Sequence, residues 1–219
     1  MANHLDLEEQ EQLDQIKHFW KQYGNAITWV LIAVLGAYAA WNGYQYWQRS
    51  QSAQAAALFD EVEKVAAAGD APKLQRAFEE MRSRFASTAY APQAGLLVAK
   101  TLYDAGKTDD AKAALTWVAE KSSDAGYAAV GKLRLAGMLM DAKAYDDALK
   151  MLDGGMPEEF AALQADRRGD VLLAQGKKPE ATEQYQKAYK LFDERTDYRR
   201  LVLVKPNSLG VDPTAGTPK

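Results

Sequence analysis

From Ala26 to about Tyr46 the chain is apolar on every side of a helix, and no charged residue stands between Lys21 and Arg49. Roughly 20 residues rising 1.5 Å each cover the ~30 Å hydrocarbon layer of a bilayer. A helix apolar all round suits lipid better than the edge of a water-soluble domain. Trp20, Tyr23 and Trp29 flank the run on one side, and Trp41, Tyr44, Tyr46 and Trp47 on the other. These are the amphipathic aromatics that settle at headgroup depth. Beyond Arg49 the pattern changes to shorter amphipathic stretches, rich in alanine and charge and broken by glycines and prolines.

Ala37-Tyr38-Ala39 has the form of a signal-peptidase site. A signal peptide, however, opens with a short basic region. Here 25 residues precede the run, with Asp6, Glu8, Glu9, Glu11 and Asp14 against Lys17 and Lys21, and the apolar stretch continues past the site into Trp41 and Tyr44. The pattern predicts a permanent anchor. Lys17 and Lys21 before the span, against Arg49 and the more distant Lys64 after it, lean by a thin margin towards a cytoplasmic amino terminus.

The distal part repeats. "LLVAKTLYDAGKTDDAKAAL", "LRLAGMLMDAKAYDDALKML" and "DRRGDVLLAQGKKPEATEQY" align on their turns, which fall at Gly106, Lys143 and Gly176. Each has a small residue (Ala99, Ala136, Gly169) and, three positions on, a leucine (Leu102, Leu139, Leu172). Past the turn comes an alanine (Ala111, Ala148, Ala181) and then a large residue (Leu115, Leu152, Tyr185). The turns are 37 and 33 residues apart, bracketing the period of about 34 that marks tetratricopeptide repeats. Physically, small residues let two antiparallel helices approach while the large ones fill the groove between them. The turn residue closes the first helix, where a positive φ is often required.

Pro92, Pro157 and Pro179 mark helix starts, and Asp109-Asp110, Asp146-Asp147 and Glu158-Glu159 place carboxylates in first turns. A fourth, more degraded unit turns at Gly69, with helices over about 52–68 and 72–86 and with Leu74 and Phe78 in the alanine and aromatic places. No Gly/Pro cluster separates the span from Ser52–Ala68, so the two helices are expected to be continuous. After Phe192 the pattern stops: "YRRLVLVKP" reads as extended and "PNSLGVDPTAGTPK" as a disordered tail. The expected fold is therefore all-α, an amino-terminal transmembrane helix followed by an α-solenoid of three to four tetratricopeptide hairpins. Its parts are an acidic leader over 1–23, the transmembrane helix over 24–48, the repeats over 49–195 and the tail over 196–219.

Composition narrows the function. The leader holds two lysines against five acids, which accounts for the whole net charge of −3 and leaves the remainder neutral. A neutral domain has no electrostatic footprint for nucleic acid. The mean hydropathy of −0.40 fits one span and no more. Cysteine is absent and both histidines, His4 and His18, lie in the leader. No cysteine- or histidine-based catalytic or metal site can form in the repeats, so a non-catalytic protein without a cofactor is expected.

A binding face is the better candidate. Counting from the turns, the first helix of each hairpin presents Gln93, Leu96, Lys100 and Tyr103, then Val130, Leu133 and Met140, then Leu163, Asp166 and Leu173 to the concave side. That stripe, mostly apolar with one lysine, suits an apolar or amphipathic segment. The alternative is that the chain's own Leu201–Val204 covers part of it. In the span, Ala33, Gly36, Ala37 and Ala40 form a small-residue face that admits a neighbouring helix.

With anchor, leader and repeats read, the chain resembles the YfgM-like family, the single-span tetratricopeptide proteins called the ancillary subunit of the SecYEG translocon. The residues carrying the resemblance are "QLDQIKHFWKQYGNAI" before the span, "WQRSQSAQAAALFDEV" after it and "ADRRGDVLLAQGKKPEA" in the last repeat. It covers roughly residues 8–195. The resemblance implies a bacterial inner-membrane protein with a cytoplasmic amino terminus and periplasmic repeats. It also implies association with the SecYEG translocon, a membrane-anchored periplasmic chaperone of the prolyl-isomerase type (PpiD-like) and emerging secreted proteins. No catalytic residues transfer. Two rivals share the physics: a membrane-bound regulator acting through its acidic leader, and an envelope assembly scaffold unrelated to secretion.

Overall fold

A computed structural model describes residues 7–211, with side chains from residue 11. Asp6 and the side chains of Glu8 and Glu9 lie outside the described residues, as does the tail beyond Val211. Among those described there are helices and no strand. The chain divides into two units after Ser50.

The first unit is the amino-terminal part of α1 (Leu7–Ala68), a single helix through the apolar run. Among the described residues it is the one helix long and apolar enough to cross a membrane, and only 6% of its most apolar window is buried. Val30, Leu31, Ile32, Val34 and Leu35 are all more than half exposed. A contiguous apolar surface of that size is stable only in lipid or against an apolar partner. The small residues Ala33, Gly36, Ala37 and Ala40 share one face of it, at positions i, i+3, i+4 and i+7, all exposed.

The second unit is built from helical hairpins. The end of α1 pairs in sequence with α2 (Ala71–Arg84), α3 (Tyr90–Asp104) with α4 (Thr108–Lys121), and α5 (Ala125–Asp141) with α6 (Tyr145–Asp153). After a short 3₁₀ turn at Glu158–Phe160 come α7 (Ala161–Ala174), α8 (Lys178–Leu191) and α9 (Asp197–Ser208). All four hairpin turns are made by a residue with positive φ: Gly69 at 70°, Gly106 at 73°, Lys143 at 60° and Gly176 at 82°. The last three close their helices identically. The amide of the following residue donates to the carbonyl of the repeat's leucine: Lys107 to Leu102 at 2.8 Å, Ala144 to Leu139 at 2.8 Å and Lys177 to Leu172 at 2.9 Å. This six-to-one bond is the Schellman closure, and it needs the left-handed residue just before the donor.

The small and large repeat positions are all buried, from Ala136, Ala111, Ala148 and Ala181 at 0% exposure to Leu172 at 8%. Leu74 and Phe78 of the first hairpin join them. The close approach has direct signs: a Cβ on Gly95 would stand 2.5 Å from Val118 of α4, and one on Gly131 would stand 2.9 Å from the Ala119 backbone nitrogen. Phe78 meets Trp117 edge-on at 5.5 Å, tying α2 to α4. Asp70 and Asp124 cap α2 and α5 by accepting from the Lys73 and Tyr127 amides. Lys73, through its ammonium and then its amide, holds the Asp70 carboxyl below the usual range.

The segment expected to be extended is a helix. In α9, Val202 is fully buried against Ala165 of α7 and Ala188 of α8. The Leu-Val-Leu-Val run has β propensity, but burial decides: a helix delivers Val202 and Pro206 to the same buried side. Pro206 stands in the last turn, with Ser208 closing the helix.

Candidate functional site

A cleft of about 410 Å³ opens between the first helices of successive hairpins. Ala99, Lys100 and Tyr103 of α3 form one wall and Arg134, Gly137, Met138 and Asp141 of α5 the other, with Leu115 and Arg167 of α4 and α7 completing it. The Tyr103 hydroxyl donates to Asp141 Oδ2 at 3.2 Å across the mouth, joining α3 to α5. That hydrogen bond and the carboxylate charge raise the Tyr103 pKa. Lys100 Nζ pairs with Asp104 at 2.5 Å on its own helix, and Arg167 Nη1 lies 3.7 Å from Asp170. Gly137 keeps the wall low: a Cβ there would come to 3.6 Å from the Arg167 guanidinium. Arg134 lines the cleft exposed. The site therefore combines an apolar floor with three cations and one hydrogen-bonded carboxylate.

Of the residues expected on the concave face, the structure brings Lys100 and Tyr103 to the cleft. Leu96, Leu133 and Met140 are partly buried and pack on the main core. On α5 the lining is Arg134, Gly137, Met138 and Asp141, with Arg134 and Asp141 one position on from Leu133 and Met140. On α7 it is Arg167, one on from Asp166. A single-residue step turns a helix by about 100°, enough to exchange an apolar face for a charged one. The cleft thus sets Arg134 and Arg167 beside the expected Lys100 on a mainly apolar surface. Leu173 packs beside Leu172 and Tyr185. Gln93 donates to the Tyr127 hydroxyl at 2.7 Å, a second tie between α3 and α5.

Asp166 sits elsewhere, only 3% exposed. Lys205 of α9 donates to Asp166 Oδ1 at 2.7 Å and to Asp170 Oδ1 at 2.8 Å. The Tyr198 hydroxyl reaches Asp166 Oδ2 at 2.8 Å and the Tyr185 hydroxyl reaches Asp170 at 2.9 Å. Burial opposes the Lys205 cation, but the two carboxylates outweigh it and leave its pKa above the ordinary value. Burial first, and the carboxylates after it, push both tyrosines up. Tyr198 and Lys205 thereby clamp α9 to α7, while Leu201 and Val204, the residues expected to cover the stripe, are both 61% exposed. Sequence periodicity could not announce this network. Its one legible sign is the i, i+4 pair Asp166 and Asp170, aligned on one helix face.

Antiparallel hairpins closed by left-handed turns and stacked through small residues define a tetratricopeptide-repeat scaffold. A family profile described as "Tetratricopeptide repeat-like domain" matches residues 17–211, reaching back into the span. A protein of Neisseria gonorrhoeae called "Ancillary SecYEG translocon subunit" is 34% identical over 210 residues, 95% of this chain and 100% of the relative. Proteins of the same name from Escherichia coli (30% over 205 residues, 93% of this chain and 97% of theirs) and Haemophilus influenzae (29% over 182 residues, 83% and 89%) are also similar. The chain belongs to this family of tetratricopeptide-repeat ancillary translocon subunits.

Proposed function

We propose that the chain is a non-catalytic, membrane-anchored accessory subunit of the SecYEG translocon. The observation that carries this reading is the end-to-end similarity to relatives of that name, anchor included. Its span lies in the bacterial inner membrane, with the amino terminus in the cytoplasm and the repeats in the periplasm. The Ala33, Gly36, Ala37 and Ala40 face meets a translocon helix, as small residues permit. The cleft holds a segment of a periplasmic partner, either a membrane-anchored chaperone of the prolyl-isomerase type or an emerging secreted chain. Lys100, Arg134 and Arg167 favour a segment carrying a carboxylate beside an apolar side chain.

The test is affinity purification from membranes in mild detergent, using the full chain and residues 50–219 in parallel. Translocon subunits are expected with the anchored form alone, and periplasmic partners with both. Replacing Gly36 and Ala40 with leucine should reduce translocon recovery. No translocon subunit in either preparation would overturn the reading.

A further inference from the structure

Ahead of the span, α1 carries a second apolar surface that anchoring does not require. At 100° per residue, Leu13, Ile16, Phe19, Trp20 and Tyr23 fall within about 120° of one another. All five are 41–65% exposed. The opposite face holds Glu11, Asp14, His18, Gln22 and Asn25, and Lys17 flanks the stripe beside Leu13. Ile27 continues the stripe onto the span without a break in the helix.

We propose that in a bilayer α1, unbroken in the structure, bends at Gly24-Asn25, so that residues 11–23 form an interfacial helix on the membrane surface beside the span, with this stripe in the headgroup–acyl boundary. The occupant is lipid, and the proposal rests on the anchor reading above. Run straight, the segment would hold its stripe in water for roughly 20 Å beyond the bilayer. Gly24 is the weakest helix former at that junction, and the Thr28 hydroxyl donates to its carbonyl at 2.7 Å. A Thr side chain bonded back to the i−4 carbonyl favours bending. The Trp20 indole already fills the space beside Gly24, where a Cβ would stand 3.1 Å from the ring.

A second copy pairing as a coiled coil is the competing occupant, and the sequence disfavours it. The seam through 13, 16, 20, 23 and 27 ends upstream at Glu9 and Asp6. That leaves about two heptads, where three or four are wanted. Phe19 also widens the face beyond a two-position seam, and Phe19 and Tyr23 stack at 5.1 Å along it. Aromatics and flanking lysine suit the boundary, where such helices sink about 5–10 Å.

The chain contains no cysteine, so single cysteines report cleanly. Ile16→Cys, Phe19→Cys, His18→Cys, Gln22→Cys and Leu35→Cys would each be labelled with a fluorophore in the full chain. The proteins would be reconstituted in phosphatidylethanolamine–phosphatidylglycerol vesicles. Positions 16 and 19 should be quenched by shallow spin-labelled lipid and be roughly threefold less accessible to iodide than 18 and 22, at every protein-to-lipid ratio. Equal iodide access at all four would overturn the proposal, as would protection that vanishes on dilution in lipid, which would mark a second copy. Position 35 should be quenched by deep spin labels; failure there would overturn the anchor and this inference with it.

Discussion

Gly169 of α7 lies against the Tyr185 ring of α8, so that a Cβ on residue 169 would stand 2.5 Å from Cε1. Tyr185 cannot retreat freely, being 1% exposed and tied through its hydroxyl to Asp170. Gly169→Ala would gain helix propensity, about 1 kcal/mol, but overpack a closed contact at about 1–3 kcal/mol. A net loss of about 1 kcal/mol is expected. Gly137→Ala, facing the open cleft with nothing nearer than 3.6 Å, should gain about 0.5–1 kcal/mol. Chemical denaturation of residues 51–219 measures both, and equal effects would remove the distinction.

Lys143 occupies the place that glycine takes at the other three hairpin turns, with φ of 60°. A side chain in that region costs about 1–2 kcal/mol, partly offset by the greater unfolded-state freedom of glycine. Lys143→Gly should therefore stabilise the repeats by about 0.5–1 kcal/mol in the same denaturation measurement. A loss would mean that the Lys143 side chain contributes more than its backbone strain.

Those turns were legible because the requirement is local. The period and the Schellman closure demand a left-handed residue, and the spacing found it even where the residue was lysine. Burial of Ala99, Leu102, Ala111 and Leu115 and their counterparts was legible for the same reason. The cleft face of α5 was not. A middle helix of a solenoid is packed against α4, α6 and α7 as well as α3, so apolar residues occur on most sides. Periodicity alone does not say whether Leu133 or Arg134 faces the groove. Helix α9 was hidden differently: its β-branched run misleads until the pocket at Ala165 and Ala188 that receives Val202 is known.

The cleft reading makes a charge-specific prediction. Arg134 is exposed, so Arg134→Glu should leave the melting temperature within about 2 °C of the parent, as surface changes usually do. Recovery of a periplasmic partner through the cleft should fall roughly tenfold, because a cation facing the proposed carboxylate becomes a repelling anion. Unchanged recovery with an unchanged melt would show that the partner binds elsewhere.

The hydrogen-bonded cluster beneath the α9 clamp predicts a loss of stability in alkali to which the Tyr185 hydroxyl contributes. Tyr185 is held far above tyrosine's ordinary 10.0, by burial first and then by the Asp170 and Asp166 carboxylates. The unfolded chain loses that proton near pH 10 while the folded one keeps it, so the folded state binds more protons above pH 10. Its stability is full below pH 10 and falls beyond it by about 1.4 kcal/mol per pH unit for this group. Tyr198 and Lys205, also raised, act in the same direction. Tyr185→Phe forfeits the hydrogen bond to Asp170, about 1 kcal/mol, and with it the steepest part of the decline. At pH 8 the variant should melt roughly 2–4 °C below the parent. The two melting temperatures should then converge near pH 11, because the parent loses what the variant never had. Parallel curves from pH 8 to 11 would show that the Tyr185 proton is not what the clamp protects.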